Sequence, residues 1–241
     1  MEYPFRPIAT LNTCFKEKFG IPRQMNLVKD APATLVFLPE FAREEAVREL
    51  SGFSHIWILF VFHKAMTKDW PVMVRPPRLG GNKKVGVFAS RSPFRPNSVG
   101  MSAVELKSVE ITNLGPVLHL KGVDILDQTP VLDIKPYLPY SDIIPHASGG
   151  FAPTPPAPGF HINFSDKALA QCAELEKKIP DLKTIITQVL ENDPRPGYNR
   201  KITDEPDKIY GIRLFDFDLK WRVINGGIQV ICLDGVNKPP E

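Results

Sequence analysis

The sequence lacks the motifs that mark the commonest nucleotide, metal and nucleophile sites. Its 241 residues contain no G-x-G-x-x-G, no H-E-x-x-H and no G-x-S-x-G. Gly81 and Gly86 have the spacing of a phosphate-binding loop, but Val87 and Phe88 occupy the positions that require Lys and then Ser or Thr. The sequence therefore excludes a P-loop and argues against a Rossmann-type cofactor site.

Cysteine and long apolar runs are also scarce. Cys14, Cys172 and Cys232 lie far apart, without the paired spacing of a zinc site or a redox motif. The longest apolar run, Ile56 to Phe62, is much shorter than the about 20 residues of a membrane-spanning helix. Residues 1–10 lack the apolar core of a signal peptide. We therefore expect a cytoplasmic protein with no membrane segment and no bound metal.

Proline is abundant, and its 25 residues are about twice the average share. Such a composition favours strands, turns and fixed loops over long helices. Short runs of strand composition occur in the first half and begin at Ala33, His55, Val85, Ser102 and Pro116. One helix is expected over Phe41–Leu50, with Gly52 as its stop. Strands that follow strands favour a barrel or a sandwich over a βαβ fold.

The segment from Pro145 to Phe160 contains five prolines and three glycines, which prevent a regular helix or strand ladder. We place a linker at residues 143–163, between a domain at 1–142 and a smaller domain at 164–241. The predicted fold class is mostly β, an antiparallel β-barrel domain followed by a small α+β C-terminal domain.

The C-terminal domain is predicted to hold two helices and a hairpin. Ser165 is a helix cap, and a second helix follows Pro180. Apolar and polar residues then alternate from Phe215 to Val223, and Asn225-Gly226-Gly227 has the composition of a hairpin turn.

Positive charge concentrates between Trp70 and Val104, a stretch without Asp or Glu, although the formal net charge is only +3. Its cations are Arg75, Arg78, Lys83, Lys84, Arg91 and Arg95. A solvated face is the ordinary explanation of such a run, but here Pro, Gly and aromatic residues fix the backbone between the cations. We favour contact with an anion or a nucleic acid, because Arg binds phosphate and carboxylate through paired hydrogen bonds.

The loop from Phe88 to Ser102 is the most informative part of this stretch. Pro93 and Pro96 fix two φ angles, so Arg91 and Arg95 project from a rigid backbone. Asn97 adds an amide that both donates and accepts hydrogen bonds.

A second cluster extends from Leu126 to Tyr140. Asp127 and Thr129 precede Pro130 and predict a turn capped by side chains, while Asp133, Lys135 and Tyr137 share one side of a short strand. A cross-strand salt-bridged surface explains the same residues equally well. His63 ends an apolar run where a barrel strand reaches its rim, so it either contacts a ligand or packs as an ordinary histidine.

These residues resemble the TrmO family of transfer-RNA methyltransferases, also called TsaA-like or YaeB-like proteins, over nearly the whole chain. The shared motifs are Arg91-Ser-Pro-Phe-Arg-Pro-Asn97, Gly100-Met101-Ser102, Thr129-Pro-Val-Leu-Asp-Ile-Lys-Pro-Tyr137 and Asp193-Pro-Arg-Pro-Gly-Tyr198. The resemblance implies a barrel-type methyltransferase that works as a homodimer and binds S-adenosylmethionine near the subunit interface. This cofactor does not need the missing glycine fingerprint on such a scaffold.

The resemblance also implies a set of cofactor contacts. They are Pro22, Arg23, Gln24, His63, Lys64, Arg91, Met101, Asp127, Gln128, Thr129 and Pro130. Arg23 or Arg91 would clamp the carboxylate of the cofactor, and Asp127 would take its ammonium group or ribose. The chain departs from the family pattern at Ser98, Met101, Gln128 and Gly197, where Pro, Leu, Gly and Ala are common.

The implied reaction is methylation of the exocyclic nitrogen of threonylcarbamoyladenosine at position 37, beside the anticodon of threonine transfer RNA. Expected contacts with the anticodon loop are Arg95, Asn97, Lys135, Arg195 and Tyr198. Asp133 and Tyr198 are candidates for a base, and the sequence does not decide between them. We expect that deleting residues 164–241 leaves cofactor binding intact and abolishes methylation. Two alternatives stay open, a noncatalytic RNA-binding barrel and a small-molecule methyltransferase on the same scaffold.

Overall fold

A computed structural model describes residues 3–156, 159–195 and 205–235, which form two units. Unit 1 comprises the described residues within 1–12, 33–121 and 128–155, and unit 2 those within 13–32, 122–127 and 156–241. Strands account for 36% of the chain and helices for 17%, so the prediction of a mostly β protein is confirmed. In the described ranges, every helix is too short or too polar to cross a membrane.

Six strands close into an antiparallel barrel, as the sequence predicts. The strands before residue 137 are β1 (Ala9–Thr13), β2 (Pro32–Phe37), β3 (His55–Val61), β4 (Met73–Val74), β5 (Val85–Gly86), β6 (Val99–Thr112), β7 (Gly115–Lys121) and β8 (Thr129–Pro136). The order around the barrel is β1-β2-β7-β6-β3-β8, and β4 and β5 form a separate two-stranded sheet. A one-turn helix, α1 (Pro139–Asp142), follows β8.

Alternation along the strands fills the barrel. In β3, Ile56, Ile58 and Phe60 are buried, and the residues between them are half-buried. Successive side chains of a strand point to opposite faces, so every second apolar residue enters the core. Each fully buried side chain of this size stabilises the fold by about 1.5–3 kcal/mol.

Two local predictions in this half are wrong. The helix predicted over Phe41–Leu50 is replaced by two 3₁₀ turns, Glu44–Val47 and Leu50–Gly52. Between them Arg48 is extended and Glu49 has a φ of 64°, a left-handed conformation that ends any helix. The strand predicted from Val85 covers only Val85–Gly86, where it pairs with β4, because a 3₁₀ turn over Val87–Ala89 follows it directly.

Unit 2 contains a four-stranded sheet in the order β10-β11-β12-β9. Its elements are β9 (Ile162–Phe164), α2 (Asp166–Leu175), α3 (Leu182–Glu191), β10 (Glu205–Leu214), β11 (Phe217–Ile224) and β12 (Gly227–Gly235). The predicted cap is confirmed, since Ser165 Oγ accepts a hydrogen bond of 3.1 Å from the backbone N–H of Ala168. The predicted turn is also present: Asn225 and Gly226 have φ of 52° and 69°, as a type I′ hairpin turn requires.

The chain is interleaved between the two units, each of which contains several separate segments of the sequence. Residues 13–32 and 122–127 belong to unit 2 because their hydrogen bonds lead to its C-terminal elements. The N–H of Phe215 donates to the carbonyl of Cys14 at 2.8 Å, and Phe15 forms a β-bridge with Leu214. The side chains of Asp30 and Gln188 are also joined by a hydrogen bond of 2.8 Å.

Candidate functional site

Strand register brings four strand ends to one end of the barrel, which we call the barrel mouth. Near the end of β3, Phe60 pairs with Gly100 of β6 on one side and with Val131 of β8 on the other. Near the end of β1, Leu11 pairs with Thr129, the first residue of β8. The final residues of β1 and β3 therefore meet the first residues of β6 and β8.

Several predicted cofactor contacts of unit 1 lie at this mouth. His63 follows the end of β3, and its Nδ1 lies 3.5 Å from Oγ1 of Thr129, whose exposed fraction is only 2%. Met101 is the third residue of β6 and is 57% exposed. Lys64, which follows His63 in the sequence, and Gln128, which precedes Thr129, are both exposed. The topology thus assembles residues that are 66 positions apart in sequence.

The loop of Arg91 enters the mouth directly before β6, because the carbonyl of Ser98 accepts a hydrogen bond of 2.8 Å from Phe62 N–H. The loop is braced by its own hydroxyl groups: Ser92 N–H donates to Ser90 Oγ, and Phe94 N–H donates to Ser92 Oγ, each at 3.3 Å.

The two loop arginines differ in exposure. Arg91 is exposed, whereas half-buried Arg95 donates from Nη1 to the carbonyl of Ser90 at 3.3 Å. One donor of Arg95 therefore stabilises the loop. Asn97 is exposed.

Asp127 is held by residues that the sequence analysis did not identify. Its Oδ1 accepts a hydrogen bond of 2.7 Å from Thr13 N–H, and its Oδ2 pairs with Lys16 Nζ at 2.9 Å. Its own N–H donates to the carbonyl of Phe15 at 2.8 Å, and its side chain is 15% exposed. Each carboxylate oxygen has one partner inside unit 2, so Asp127 fixes its end of the turn, and its contact with the cofactor stays a prediction.

Gln128 begins the unit 1 part of the same turn in a strained conformation. Its φ is 59°, and a left-handed conformation destabilises a residue with a Cβ by about 1–2 kcal/mol. Its side-chain Nε2 donates to Oδ1 of Asn12 at the end of β1. Strained backbone of this kind is characteristic of ligand sites, where surrounding contacts maintain it.

Asp133 and Lys135 lie further along β8 and form an ion pair of 2.8 Å. The Oδ1 of Asp133 also accepts a hydrogen bond from Ile134 N–H. A register shift occurs here, since Leu59 pairs with Asp133 whereas Phe60 pairs with Val131. Such bulges re-aim side chains beside active sites. The side chains of Lys135 and Asp133 are 63% and 45% exposed, so the pair contributes little to stability.

Arg195, one of the predicted contacts with the anticodon loop, is buried. It is 2% exposed, its Nε donates to Asp193 Oδ1 at 2.8 Å, and its Nη2 donates to Asp193 Oδ2 at 3.2 Å. Its guanidinium also lies 5.0 Å from the ring centre of Phe160 and 5.8 Å from that of Tyr210. Burial by itself lowers the pKa of Arg195, but the hydrogen bonds and charges of Asp193 and Tyr210 outweigh it and raise the pKa above its usual value. These contacts favour an internal structural role.

The remaining predicted contacts are untested or outside the described part. Pro22 is buried, Arg23 is exposed and Gln24 is half-buried in unit 2. Tyr198 lies outside the described residues, so its proposed roles stay predictions.

The cysteines do not supply a nucleophile. All three are unpaired and buried, and burial raises the pKa of Cys14 to about 12 and that of Cys172 to about 11. Both thiols therefore stay protonated at neutral pH, and the thiolate is the reactive form.

The mouth can hold a mixed polar and apolar ligand. It combines exposed cations, a buried hydroxyl and a strained turn with large exposed apolar side chains. Of these apolar residues, Val99 and Met101 lie on β6, and Met66 and Phe94 lie in the chain segments that follow β3 and precede β6. Exposed apolar groups in one region mark an interaction surface.

Comparisons with known proteins find matches to both parts of the chain. Residues 10–143 match the family model of the tRNA-methyltransferase O N-terminal domain, and residues 157–236 match the TrmO C-terminal domain. The chain is 45% identical over 232 residues to the tRNA (adenine(37)-N6)-methyltransferase of Escherichia coli strain K12, covering 96% of this chain and 98% of that protein.

Two further similarities extend over nearly the whole chain. A putative S-adenosylmethionine-dependent methyltransferase, RcsF, of Pseudomonas aeruginosa is 44% identical over 92% of this chain and 93% of its own length. A crystal structure of TrmO from Pseudomonas aeruginosa superposes with a TM-score of 0.80 at 38% identity, covering 98% of this chain and 99% of that chain.

The sequence predicted the family, the methyltransferase class and S-adenosylmethionine as cofactor. The names of these relatives confirm all three. Both family models match, one to each part of the chain, and together they span most of its length. The chain belongs to the tRNA-methyltransferase O family.

Proposed function

We propose that this protein transfers the methyl group of S-adenosylmethionine to the exocyclic nitrogen of threonylcarbamoyladenosine at position 37 of threonine transfer RNA. We further propose that it acts as a homodimer in the cytoplasm. The observation that carries the proposal is the convergence of His63, Met101 and Thr129 at the barrel mouth, in a chain whose relatives are named tRNA (adenine(37)-N6)-methyltransferases.

The residues of the mouth fit S-adenosylmethionine. Exposed Lys64 and Arg91 complement its carboxylate, and Met101 offers an apolar surface for its adenine. The turn at Gln128–Pro130 presents backbone groups that can bind its polar atoms, and Asp127 holds that turn through Lys16. When bound, the cofactor supplies an electrophilic methyl group on a positively charged sulfur. Pro22, Arg23 and Gln24 stay proposed contacts on the strength of the family resemblance.

The dimer proposal is supported by the apolar residues near the mouth. Val99 is 40% exposed and Phe94 is 42% exposed, although both are large enough to favour burial. A second copy of the chain would remove such side chains from water and stabilise the association.

The accepting nitrogen is a poor nucleophile, because its lone pair is delocalised. Alignment of the reacting groups is therefore the main source of rate, and positioning can supply about 7–11 kcal/mol. Asp133 is a candidate base at the β8 bulge, with Lys135 2.8 Å away to hold its carboxylate. Tyr198 stays the alternative base.

The anticodon loop would meet the cation-rich stretch that precedes β6. Arg95, Asn97 and Lys135 are the proposed contacts in unit 1, since Arg, Lys and Asn bind phosphates and unstacked bases. Arg195 and Tyr198 complete the predicted set. For Arg195, burial supports an indirect role, in which it holds Tyr210 in place.

The activity is tested with threonine transfer RNA that carries or lacks threonylcarbamoyladenosine. Purified protein and methyl-labelled S-adenosylmethionine are incubated with each RNA, and the digested nucleosides are analysed by mass spectrometry. We expect label only on the modified nucleoside. Label on unmodified adenosine would contradict the substrate proposal, and transfer-RNA binding without any label would support a noncatalytic barrel. Cofactor binding with unlabelled RNA would support a small-molecule methyltransferase.

Arg91→Ala tests the cofactor site separately. Loss of a charge-assisted contact should weaken S-adenosylmethionine binding about tenfold, as measured by calorimetry. Arg43→Ala, an exposed arginine before the first 3₁₀ turn, is the matched control and should bind normally. Unchanged affinity in Arg91→Ala would remove Arg91 from the site.

A further inference from the structure

A groove lined by several polar side chains lies at one end of the sheet in unit 2, beside the β11–β12 turn. Its volume is about 360 Å³, within the lower range of ligand pockets, which is about 300–1,000 Å³. The lining residues are His161, Asn163, Arg222, Ile224, Asn225, Gly226, Gly227 and Gln229. None of these described lining residues is acidic. The groove lies within one unit and is not part of the proposed methyl-transfer site.

Strand register arranges three of its side chains in a row. Arg222 of β11 pairs with Gln229 of β12, which pairs in turn with Asn163 of β9. Residues opposite each other on neighbouring strands project to the same face. The adjacent Trp221 and Val223 are buried on the other face, so the groove face carries the polar row.

The guanidinium of Arg222 is oriented by a neutral partner. Its Nε and Nη2 both donate to Oε1 of Gln229, at 3.0 and 2.8 Å. Within residues 3–156, 159–195 and 205–235, no carboxylate forms an ion pair with Arg222. Lys220 lies two residues earlier on the same strand and face, but its Nζ is 2.7 Å from Asp234 Oδ2. Arg222 therefore presents a fixed positive charge that no described carboxylate neutralises.

The wall of the groove is rigid. A Cβ at Gly227 would lie 2.8 Å from the carbonyl oxygen of His161, so only glycine allows this close approach between the turn and β9. The carbonyl of His161 also accepts a hydrogen bond of 2.9 Å from Ile228 N–H. A site that is rigid before binding loses less conformational entropy when a ligand enters.

We propose that this groove binds one phosphate and the adjoining nucleotide of the RNA substrate. The proposal rests on the proposed transfer-RNA function and adds a second RNA contact, remote in sequence from the Arg91 loop. Arginine binds phosphate through paired N–H groups, which explains the oriented cation. The amides of Asn163, Asn225 and Gln229 can donate to and accept from base edges and the ribose 2′-hydroxyl.

The test compares Arg222→Gln with Lys220→Gln in the full-length protein. Both variants remove one positive charge from the same face of β11, but Lys220 is already paired with Asp234. Transfer-RNA affinity is measured by filter binding at several salt concentrations, and KM and kcat are measured by methyl incorporation. We expect Arg222→Gln to raise KM for transfer RNA about tenfold and to lower the salt slope by about 1, as loss of one phosphate contact should. Neither kcat nor KM for S-adenosylmethionine should change, and Lys220→Gln should match the unaltered protein.

Arg222→Lys separates charge from shape. It keeps the positive charge, so its salt slope should be normal, while loss of the paired N–H groups raises KM for transfer RNA severalfold. A thermal melt of each variant checks folding, and Asn163→Ala, which leaves Arg222 and its partner intact, provides a second route if Arg222→Gln does not fold. That variant should also raise KM for transfer RNA.

Several results would overturn the groove proposal. The first is normal transfer-RNA binding in Arg222→Gln or, where that variant does not fold, in Asn163→Ala. The second is a loss of transfer-RNA affinity in Lys220→Gln equal to that in Arg222→Gln. The third is a changed KM for S-adenosylmethionine in Arg222→Gln. If the unaltered protein methylates transfer RNA while these variants behave normally, only the groove proposal fails. If the unaltered protein binds transfer RNA through Arg222 but methylates nothing, the groove stands and the proposed function fails.

Discussion

Two turns of this protein are stabilised in opposite ways. One leads into β8 at the barrel mouth, and the other joins β11 to β12 beside the groove. The turn at Asp127–Pro130 places Gln128 in a left-handed conformation and is held by side chains, notably the Asp127–Lys16 ion pair. The turn at Asn225–Gly227 uses residues that adopt positive φ readily, and the hairpin itself holds it. Strain at the first turn is therefore maintained by distant contacts, as expected where a ligand site constrains the backbone.

The ion pairs near these regions differ in the same way. Lys16 and Asp127 have side chains that are 29% and 15% exposed, whereas Lys220 and Asp234 are 43% and 38% exposed. Water screens the second pair more strongly, so it should contribute less to stability. The first turn should thus be sensitive to changes far from it in sequence, and the second should depend mainly on its own residues.

Deletion of residues 164–241 should have the largest effect, because it removes the partners of residues 13–32. Cys14, Phe15 and Val28 are buried in unit 2 and would become exposed. The interleaved chain therefore changes the expectation that cofactor binding survives. We predict a loss of cooperative urea unfolding and a large loss of S-adenosylmethionine affinity by calorimetry. A truncated chain that binds normally would show that residues 13–32 fold without the C-terminal elements.

Asp127→Ala should have the next largest effect. It leaves Thr13 N–H without its acceptor and Lys16 without its partner, which should lower the free energy of unfolding by about 2–3 kcal/mol. It should also weaken S-adenosylmethionine binding, because the turn before Thr129 is released. The matched control is Glu174→Ala, which breaks the exposed pair with Lys177 and should change stability by less than about 1 kcal/mol. Equal losses of unfolding free energy in the two variants, measured by urea titration, would show that the Asp127–Lys16 pair does not hold the turn.

A substitution to glycine at Gln128 and a substitution of alanine for Gly226 should change stability in opposite directions. Gln128→Gly relieves a left-handed conformation and should stabilise the protein by up to about 1 kcal/mol, although it also removes the hydrogen bond to Asn12. Gly226→Ala introduces a Cβ at a φ of 69° and should destabilise by about 1 kcal/mol. Thermal melts of the two variants measure the difference. A destabilised Gln128→Gly variant would mean that the Asn12 contact outweighs the strain.

Loss of the exposed Lys220–Asp234 pair should have the smallest effect, seen mainly as a change in the pKa of Asp234. The hydrogen bond from Lys220 lowers the pKa of Asp234 below its ordinary value of 3.8, with a second contribution from Cys232. The stabilisation is present above that ordinary value and is lost as pH falls through the lowered pKa of the folded state. Lys220→Gln should return the pKa of Asp234 towards its ordinary value in an NMR titration. An unchanged midpoint would mean that Lys220 does not hold the carboxylate in solution.

Local patterns predicted much of the fold and part of the site. Ser165, the Asn225-Gly226 turn and the alternation in β3 each follow from interactions among residues close in sequence. The helix predicted at Phe41–Leu50 failed because apolar spacing does not report the left-handed conformation of Glu49. Most mouth residues were found through motif resemblance, which names positions without giving their contacts.

The sequence by itself determined the mostly β fold class and the residue types available for chemistry, because these depend on composition and short-range pattern, and its motifs carried the family resemblance. Only the tertiary structure decided that Lys16 pairs with Asp127 across 111 positions, that Arg195 is buried, and that Arg222 faces a neutral amide. Such contacts depend on strand register and on chain reversals far apart in sequence. A single sequence carries no local signal of either.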